Sequence, residues 1–478
     1  MHHRNFAART ALAALLGFFV CGITAAAQTA PNIVLIVADD LGYGDLGAYG
    51  NPTIRTPHLD RLAFEGQKWT TFYVAESVCT PSRAALLTGR LPIRNGLNAA
   101  NNVRRVFFPD STGGLPASEI TLAELLKGRG YATAFVGKWH LGHVRESLPT
   151  AHGFDSYFGI PYSNDMDMIA IPGASIGGED PQKRERIMNP RVEYWNVPLM
   201  RDAAVVERPA DQRSITRRYT EEATTFIRKH AAGPFLLYLA HAMPHVPLFA
   251  SREFAGRSPR GAYGDVVEEI DWSVGQVVDT LRKLGLDKRT IVVFLSDNGP
   301  WALFDEQGGS AGPFRGSKGG TMEGGMRVPA IFWGPGIVRP GVITDMGSTL
   351  DLLPTLCTLT GARAPQDRTL DGYDLSAVLR QGARSPRETM FFYRGSKLYA
   401  LRQGPFKAHF FTQPEYDDEA ETAHDPPLLY NIDHDPGEQF DIAAKHPEII
   451  ARIRKIASDH ARTIAPVENQ LIRTEARH

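Results

Sequence analysis

Four short apolar runs, each followed directly by polar residues, place the strongest constraint on how this chain can fold. The runs cover residues 32–38, 133–136, 234–240 and 290–296. They show no alternation of apolar and polar residues, which is typical of strands buried on both faces. Helical stretches such as 121–128 and 270–284 lie between them. We therefore predict an α/β protein whose large, mostly parallel sheet is flanked by helices.

Polar side chains follow all of these predicted strands, at the edge where parallel sheets bind ligands. Two runs end in acidic or amide residues and two lead into lysine or histidine: Asp39, Asp40, Asp297, Asn298, Lys138, His140, His241 and His245. A polar residue can simply end a strand. That alternative explains poorly why acids collect at two ends and cationic donors at the other two. We interpret the shared edge as a candidate site.

The acidic and the basic residues suit different ligands. Asp39, Asp40, Asp297 and Asn298 offer only hard oxygen ligands, so a divalent ion bound there is predicted to be Ca²⁺ or Mg²⁺ and not zinc. Donors and positive charge, suited to an anionic oxyacid group, come from Arg83, Lys138, His140, His245 and Lys318. Taken one at a time, each of these residues also has a structural explanation, such as a turn or a core histidine.

Residues 79–83 read CTPSR and stand directly before an apolar, helix-like run. The N-terminus of a helix presents free N–H groups and positive dipole charge, and Pro81 fits its first turn. We therefore interpret Cys79 as the nucleophile position, between the metal and the cationic pocket. Cys357 lies in a separate apolar stretch, and a disulfide between the two cysteines is an alternative.

Residues 1–27 are predicted to be a secretory signal peptide. Arg4 and Arg9 precede the apolar run 11–20, and alanines 25–27 supply an A-x-A cleavage site. We therefore expect an exported protein, periplasmic or secreted. The formal net charge of −1 does not support nucleic acid or a membrane surface as a partner, and no other apolar run is long enough to span a bilayer.

The run CTPSRAALLTGR at 79–90 resembles the signature of the formylglycine-dependent type I sulfatases, C-x-P-S-R-x-x-x-L-x-x-G. Further motifs of that family occur in the family's order: the acidic pair at 39 and 40, GKWHLG at 137–142, PHVP at 244–247, SDNG at 296–299, and Lys318 followed by EGGMR at 323–327. The chain is most similar to the arylsulfatase A and N-acetylgalactosamine-6-sulfatase group. The resemblance implies an alkaline-phosphatase-like fold.

The resemblance also implies roles for the candidate residues. Cys79 would be converted to 3-oxoalanine (formylglycine) by a formylglycine-generating enzyme during maturation. One Ca²⁺ ion would be bound by Asp39, Asp40, Cys79, Asp297 and Asn298. Catalysis would use Cys79 together with the residues that line the sulfate pocket, Arg83, Lys138, His140, His245 and Lys318. His241 would be structural, because the PHVP motif falls on His245.

The activity that the resemblance implies is hydrolysis of an organic sulfate ester to an alcohol and inorganic sulfate, through a formylglycine–sulfate intermediate. The substrate would be an aryl sulfate or a sulfated sugar such as N-acetylgalactosamine 6-sulfate. Phosphate is also a tetrahedral oxyanion, so a phosphatase or phosphonate monoester hydrolase of the same superfamily is one alternative. A catalytically silent calcium- and glycan-binding protein is another, if Cys79 remains a thiol.

The pattern of the sequence changes near residue 384, after all the candidate site residues. Beyond it, short apolar runs predict antiparallel strands at 390–393, 397–401, 406–410 and 428–431, and 447–463 reads as a helix. We therefore predict a catalytic domain at 28–384 and a smaller C-terminal α+β domain with an antiparallel sheet at 385–478.

Overall fold

The computed structural model describes residues 30–99, 104–169, 181–415, 420–465 and 467–475. The predicted signal peptide lies outside these residues. In the described ranges, no helix is both long enough and apolar enough to cross a membrane. Cys79 and Cys357 are free thiols, so the alternative of a disulfide between them is not realised.

The strands found in the described ranges are mostly short. They are β1 (Asn32–Ala38), β2 (Gln67–Trp69), β3 (Phe72–Tyr73), β4 (Ala132–Gly137), β5 (Ser156–Gly159), β6 (Leu199–Arg201), β7 (Ala204–Glu207), β8 (Phe235–Ala240), β9 (Thr290–Ser296), β10 (Ala330–Trp333), β11 (Gly341–Ile343), β12 (Gly347–Ser348), β13 (Thr389–Arg394), β14 (Lys397–Gln403), β15 (Phe406–Thr412) and β16 (Thr422–Asn431).

The α-helices of the same ranges alternate with these strands as far as residue 384. They are α1 (Pro57–Glu65), α2 (Cys79–Thr88), α3 (Pro92–Asn95), α4 (Leu122–Lys127), α5 (Pro181–Met188), α6 (Ile215–Lys229), α7 (Gly261–Lys283), α8 (Glu323–Met326), α9 (Leu352–Thr360), α10 (Ser376–Gln381) and α11 (Pro447–Ala461).

The main sheet has ten strands in the order β11-β2-β10-β9-β1-β8-β4-β5-β6-β7. Its centre, β9-β1-β8-β4-β5, is parallel throughout. Strand β10 pairs antiparallel with β9 on one side, and β6 pairs antiparallel with β5 on the other. The prediction of a large mixed, mostly parallel sheet is confirmed. The carboxyl ends of the predicted strands therefore lie along one edge of the sheet.

Strand β1 shows why the apolar runs lack alternation. Ile33 and Leu35 pack on one face of the sheet, in a core cluster that includes residues of α2, α4 and α9. Val34 and Ile36 pack on the opposite face, with residues of α1, α6 and α7. Since successive side chains of a strand point to opposite faces, a strand covered by helices on both sides is apolar at successive positions along its length.

The C-terminal segment forms a second sheet, β13-β14-β15-β16, which is antiparallel throughout. Helix α11 packs against it through Ile449, Ile450 and Ile453, in a small core of its own. The predicted antiparallel sheet and its helix are both present. We propose that this second unit begins at residue 385, in the segment between α10 and β13.

Candidate active site

The structure brings all the sequence-predicted site residues to the carboxyl edge of the main sheet. Residues 39 and 40 follow β1, 138 and 140 follow β4, 245 follows β8, and 297 and 298 follow β9. Cys79 is the first residue of α2 and Arg83 lies one turn later. Lys318 lies on the loop that precedes α8. Each of these side chains is at most 3% exposed, so the site lies deep in the protein.

Local backbone geometry at the strand ends is unusual. Asp40 and His140 have positive φ values of 63° and 60°, which are uncommon for residues other than glycine. Gly137, the last residue of β4, has a φ of 119°, and a Cβ atom there would lie 1.7 Å from the carbonyl oxygen of Ala240. Such geometry clusters at functional sites, where the surrounding structure enforces it. Here it turns two strand ends sharply into the site.

The acidic residues form a cluster that fits a divalent metal ion. Ligand atoms of Asp39, Cys79 and Asp297 lie within 4.8 Å of one another. The Oδ1 atom of Asn298 is buried without a hydrogen-bond partner, while its Nδ2 donates to Asp40 Oδ1 at 2.7 Å. A buried, unpartnered oxygen beside converging carboxylates suits a hard cation that binds oxygen, such as Ca²⁺ or Mg²⁺.

Three buried cations neutralise these carboxylates. Lys138 Nζ lies 2.6 Å from Asp39 Oδ2, and Lys318 Nζ lies 2.7 Å from Asp40 Oδ1. Arg83 Nη2 lies 2.8 Å from Asp297 Oδ2. Burial alone would raise the pKa of Asp39, but Lys138 and the other cations hold it well below its ordinary value. Burial raises the pKa of Asp297 to about 6, against the opposing effect of Arg83.

The guanidinium group of Arg83 is directed at protein groups. Its Nε donates to Asp297 Oδ2 at 2.9 Å, and its Nη1 donates to the Lys138 carbonyl at 2.8 Å. Its Nη2 is also 3.3 Å from Asp39 Oδ1. Arg83 therefore joins the ends of β1, β4 and β9, and it fixes the carboxylates of Asp39 and Asp297 relative to one another.

The thiol of Cys79 lies between the acidic and the basic residues. Its Sγ is 3.6 Å from Asp39 Oδ1 and 3.5 Å from Lys138 Nζ. Burial raises the pKa of this thiol to about 12, although Lys138 and Lys318 act in the opposite direction. A thiol with such a pKa is protonated at neutral pH and is a weak nucleophile.

Each of the two site histidines has one nitrogen engaged by a backbone carbonyl. His140 Nε2 lies 2.9 Å from the Phe107 carbonyl, and its buried Nδ1 has no hydrogen-bond partner. His245 Nδ1 lies 2.5 Å from the Val246 carbonyl, which leaves Nε2 directed toward Asp40 Oδ2 at 3.6 Å. A carbonyl only accepts, so in a neutral ring the engaged nitrogen carries the proton and the other nitrogen has a lone pair.

Burial also keeps the histidine rings neutral. It lowers the pKa of His140 well below its ordinary value, and the neighbouring Lys138 adds to the effect. The pKa of His245 is lowered by burial and by Lys318. His241 is fully buried, and neither of its ring nitrogens has a hydrogen-bond partner.

Two residues of the site were not predicted as functional. Ser163 Oγ accepts from Lys138 Nζ at 3.1 Å and lies 3.4 Å from His245 Nε2. Trp301 lies beneath the Lys318 ammonium, 4.4 Å from the ring centroid, and its ring centroid is 5.2 Å from that of His245. Both residues follow strands of the parallel sheet, β5 and β9. The same strand-end reasoning extended to β5 would have found Ser163.

The chain matches two protein-family models and is similar to known proteins over most of its length. The sulfatase family model matches residues 31–362, and the model of the C-terminal region of aryl-sulfatase matches residues 385–478. The chain is 43% identical to human arylsulfatase A, over 89% of this chain and 87% of that protein. It is 41% identical to N-acetylgalactosamine-6-sulfatase of Sus scrofa, over 94% of this chain and 89% of that protein.

Solved structures share the fold. One is Ps i-CgsB in complex with k-i-k-neocarrahexaose, which superposes with a TM-score of 0.76 at 29% sequence identity. The match covers 94% of this chain and 95% of that one. The similarity therefore includes both the main sheet and the C-terminal sheet of this chain.

Proposed function

The chain belongs to the sulfatase family of sulfuric ester hydrolases, and we propose that it hydrolyses its sulfate ester at Cys79 after this residue has been oxidised to formylglycine. The observation that carries the proposal is the position of Cys79. It is the first residue of α2, and its Sγ lies 3.6 Å from Asp39 Oδ1 and 3.5 Å from Lys138 Nζ. In these surroundings the unmodified thiol is a weak nucleophile. Oxidation requires a formylglycine-generating enzyme as a partner during maturation.

Two groups would complete the site. Formylglycine, as a hydrated aldehyde, supplies two hydroxyl groups on one carbon atom. A Ca²⁺ ion would be held by Asp39, Asp40, Asp297 and Asn298 together with residue 79, and it would supply positive charge that stabilises anionic oxygen atoms. Arg83 keeps two of these carboxylates in register, through its contacts with Asp39 and Asp297.

The residues around Cys79 have two further roles, binding of the sulfate group and general-base catalysis. Lys138 and Lys318 lie next to the thiol and supply donors and positive charge, which suits the oxygen atoms of a sulfate group. His140 is a candidate general base, because Nδ1 retains its lone pair while Nε2 donates to the Phe107 carbonyl. This base would remove a proton from a hydroxyl group on residue 79 when sulfate is expelled.

Protonation of the leaving oxygen falls to Lys318 and His245. Lys318 carries its proton in an ion pair with Asp40, at 2.7 Å. His245 presents Nε2 on the same side, 3.6 Å from Asp40 Oδ2, but burial and Lys318 favour its neutral form. We assign the proton in the first place to Lys318, with His245 as its neighbour along the path to the leaving group.

The experiment that tests the function compares p-nitrophenyl sulfate, p-nitrophenyl phosphate and p-nitrophenyl phenylphosphonate as substrates of the enzyme in its formylglycine form. We expect the highest kcat/KM for the sulfate ester. Phosphate carries more charge than sulfate, so a pocket built for it usually has more positive charge or a second metal. A clear preference for either phosphorus substrate would refute the sulfatase assignment. No turnover of any of the three would favour a calcium- and glycan-binding protein.

The natural substrate is proposed to be a sulfated sugar, desulfated after export of the enzyme. Support comes from the similarity to N-acetylgalactosamine-6-sulfatase and from the likeness to a structure that binds neocarrahexaose. The buried residues around residue 79 contact the sulfate group, which all sulfate esters share. Recognition of a sugar must therefore depend on residues farther out, such as the loop that contains Ser163.

Asp165 is a candidate residue for sugar recognition on that loop. Its Oδ1 is buried without a hydrogen-bond partner, and Ser163 hydrogen-bonds the same side chain. If Asp165 accepts a hydrogen bond from a sugar hydroxyl, Asp165→Ala should lower kcat/KM for a sulfated sugar by ~10- to 100-fold. The same variant should change kcat/KM for p-nitrophenyl sulfate by less than about 3-fold, because a small aryl group has no hydroxyl to lose.

Asp167 provides the matched control. It lies on the same loop, but its carboxylate accepts from Tyr162 at 3.2 Å and pairs with Arg208, so it is already engaged. Its φ of 57° is one that asparagine tolerates, so Asp167→Asn is the suitable change. We expect this variant to affect both substrates equally. Equal losses on both substrates for Asp165→Ala would mean that this residue only supports the site.

A further inference from the structure

The loop that carries Lys318 rests on the C-terminal sheet. We define the Lys318 loop as residues 318–326, the segment that begins at Lys318 and includes the short helix α8. Lys407, the second residue of β15, donates through Nζ to the Thr321 carbonyl at 2.9 Å. The same Nζ lies 3.0 Å from Glu323 Oε1 and 3.0 Å from Glu438 Oε1. One side chain of the C-terminal unit thus contacts the loop at two residues.

Glu438 makes a second connection to the loop. Its Oε2 accepts from the backbone N–H of Glu323 at 2.7 Å, and its Oε1 is 2.7 Å from His409 Nε2. Glu323, Lys407, His409 and Glu438 are each 0% exposed. A buried charge that loses its partner is strongly destabilising, so these four groups specify one arrangement of the loop against β15.

The far side of Glu323 is tied to the catalytic unit. Its Oε2 accepts from the Tyr73 hydroxyl at 2.6 Å and lies 3.2 Å from Arg327 Nη1. Burial alone would raise the pKa of Glu323, but Lys407 and two arginines lower it to about 2. The carboxylate therefore stays ionised and keeps its partners on both sides.

The beginning of the Lys318 loop is held by backbone contacts with the catalytic unit. The backbone N–H of Lys318 donates to the Pro300 carbonyl at 2.9 Å, and that of Gly319 donates to the Ser77 carbonyl at 2.9 Å. The loop is therefore fixed at its start by residues next to the site, and at Thr321 and Glu323 by Lys407 and Glu438. The position of the Lys318 ammonium depends on both attachments.

We propose that Lys407 and Glu438 are positioning residues for the reaction, which hold the Lys318 ammonium within reach of the leaving oxygen. The inference rests on the proposed function, in which Lys318 protonates that oxygen. It assigns a role in catalysis to the C-terminal sheet, although neither residue contacts the sulfate pocket. The contacts predict a specific kinetic signature, because the need for a proton depends on the leaving group.

The test uses two sulfate esters that differ in leaving group, p-nitrophenyl sulfate and an alkyl sulfate of a sugar. A nitrophenolate leaves without protonation, whereas an alkoxide does not. Glu438→Gln and Lys407→Met should lower kcat for the sugar sulfate by ~10- to 100-fold and for p-nitrophenyl sulfate by less than about 3-fold. Glu438→Gln is nearly isosteric and leaves Lys407 paired with Glu323, so it should fold even if Lys407→Met does not.

Arg387→Met is the matched control. Arg387 is also a buried cation of the C-terminal segment, and it pairs with Asp351 of the catalytic unit at 2.5 Å, away from the Lys318 loop. Its loss should lower the melting temperature without changing the ratio of the two activities. A merely structural role of Glu438 would give this same pattern.

A double-mutant cycle tests whether Glu438 acts through Lys318. Since Glu438 is proposed to act through Lys318, Glu438→Gln should cause no further loss on the sugar sulfate in a Lys318→Ala background. Equal losses on both esters, no loss, or additive losses in the cycle would each overturn the proposal. The wild-type enzyme is assayed first with p-nitrophenyl sulfate, so a failure of the proposed function appears there and not in the variants.

Discussion

Replacement of Cys79 by serine is expected to lower multiple-turnover hydrolysis of p-nitrophenyl sulfate by ~10³-fold or more. A serine hydroxyl at the start of α2 can accept a sulfuryl group, but its carbon bears no second hydroxyl to expel sulfate. The variant should therefore release at most one equivalent of p-nitrophenol per enzyme molecule. Stopped-flow absorbance of p-nitrophenol, normalised to the enzyme concentration, measures this directly.

Cys357 supplies the control for this prediction. It is a buried thiol in α9, outside the site, and burial raises its pKa to about 12, as it does for Cys79. Cys357→Ala should retain wild-type turnover with a small loss of stability, because only a small apolar side chain is truncated. A Cys79→Ser enzyme that turns over many substrate molecules would contradict the assigned role of Cys79.

Asp297→Asn is expected to have the second-largest effect, a loss of sulfatase activity of ~100-fold or more. The change removes one negative charge from the oxygen cluster and replaces one ligand oxygen by a nitrogen that cannot bind a hard cation. Asparagine is preferred to alanine because Asp297 pairs with Arg83 at 2.8 Å. Alanine would leave the buried guanidinium group without this partner. Removing one partner of a buried ion pair lowers the free energy of unfolding by about 3–5 kcal/mol.

The metal itself gives a readout that does not depend on activity. Calcium added to chelator-treated wild-type protein should raise its melting temperature, because a ligand that binds only the folded state stabilises it. The shift should be much smaller in Asp297→Asn. Asp271→Asn is the control, since Asp271 is a buried carboxylate that accepts from the N–H groups of His58 and Leu59. Full activity of thoroughly chelated enzyme would refute the metal assignment.

The centre of the fold and the location of the site could be predicted because both follow from local sequence. Strands β1 and β9 have the bounds 32–38 and 290–296 that were expected, since they are apolar at every internal position and acidic residues follow them directly. Once strands of this kind run parallel, their carboxyl ends share an edge. That rule places Asp39 and Asp297 at the same edge, and the pairing of β1 with β9 makes them neighbours.

The edges of the sheet could not be predicted in the same way. Strand β10 is inserted antiparallel between β9 and β2, which are far apart in sequence. Such short strands carry little periodic signal, and their order is decided by packing. The same limit applies to the contact of Lys407 with Glu323, which joins two units of the fold. A buried ion pair between distant segments leaves no spacing in the sequence that could identify it.

The most direct test of the central claim is the mass of the tryptic peptide that contains Cys79. Cleavage after Lys68 and Arg83 releases residues 69–83. We predict that protein produced together with a formylglycine-generating enzyme yields a peptide in which one oxygen atom replaces one sulfur and two hydrogen atoms. The fraction of modified peptide should rise in proportion to p-nitrophenyl sulfate turnover across preparations. An unmodified thiol in protein that hydrolyses sulfate esters at the full rate would contradict the account.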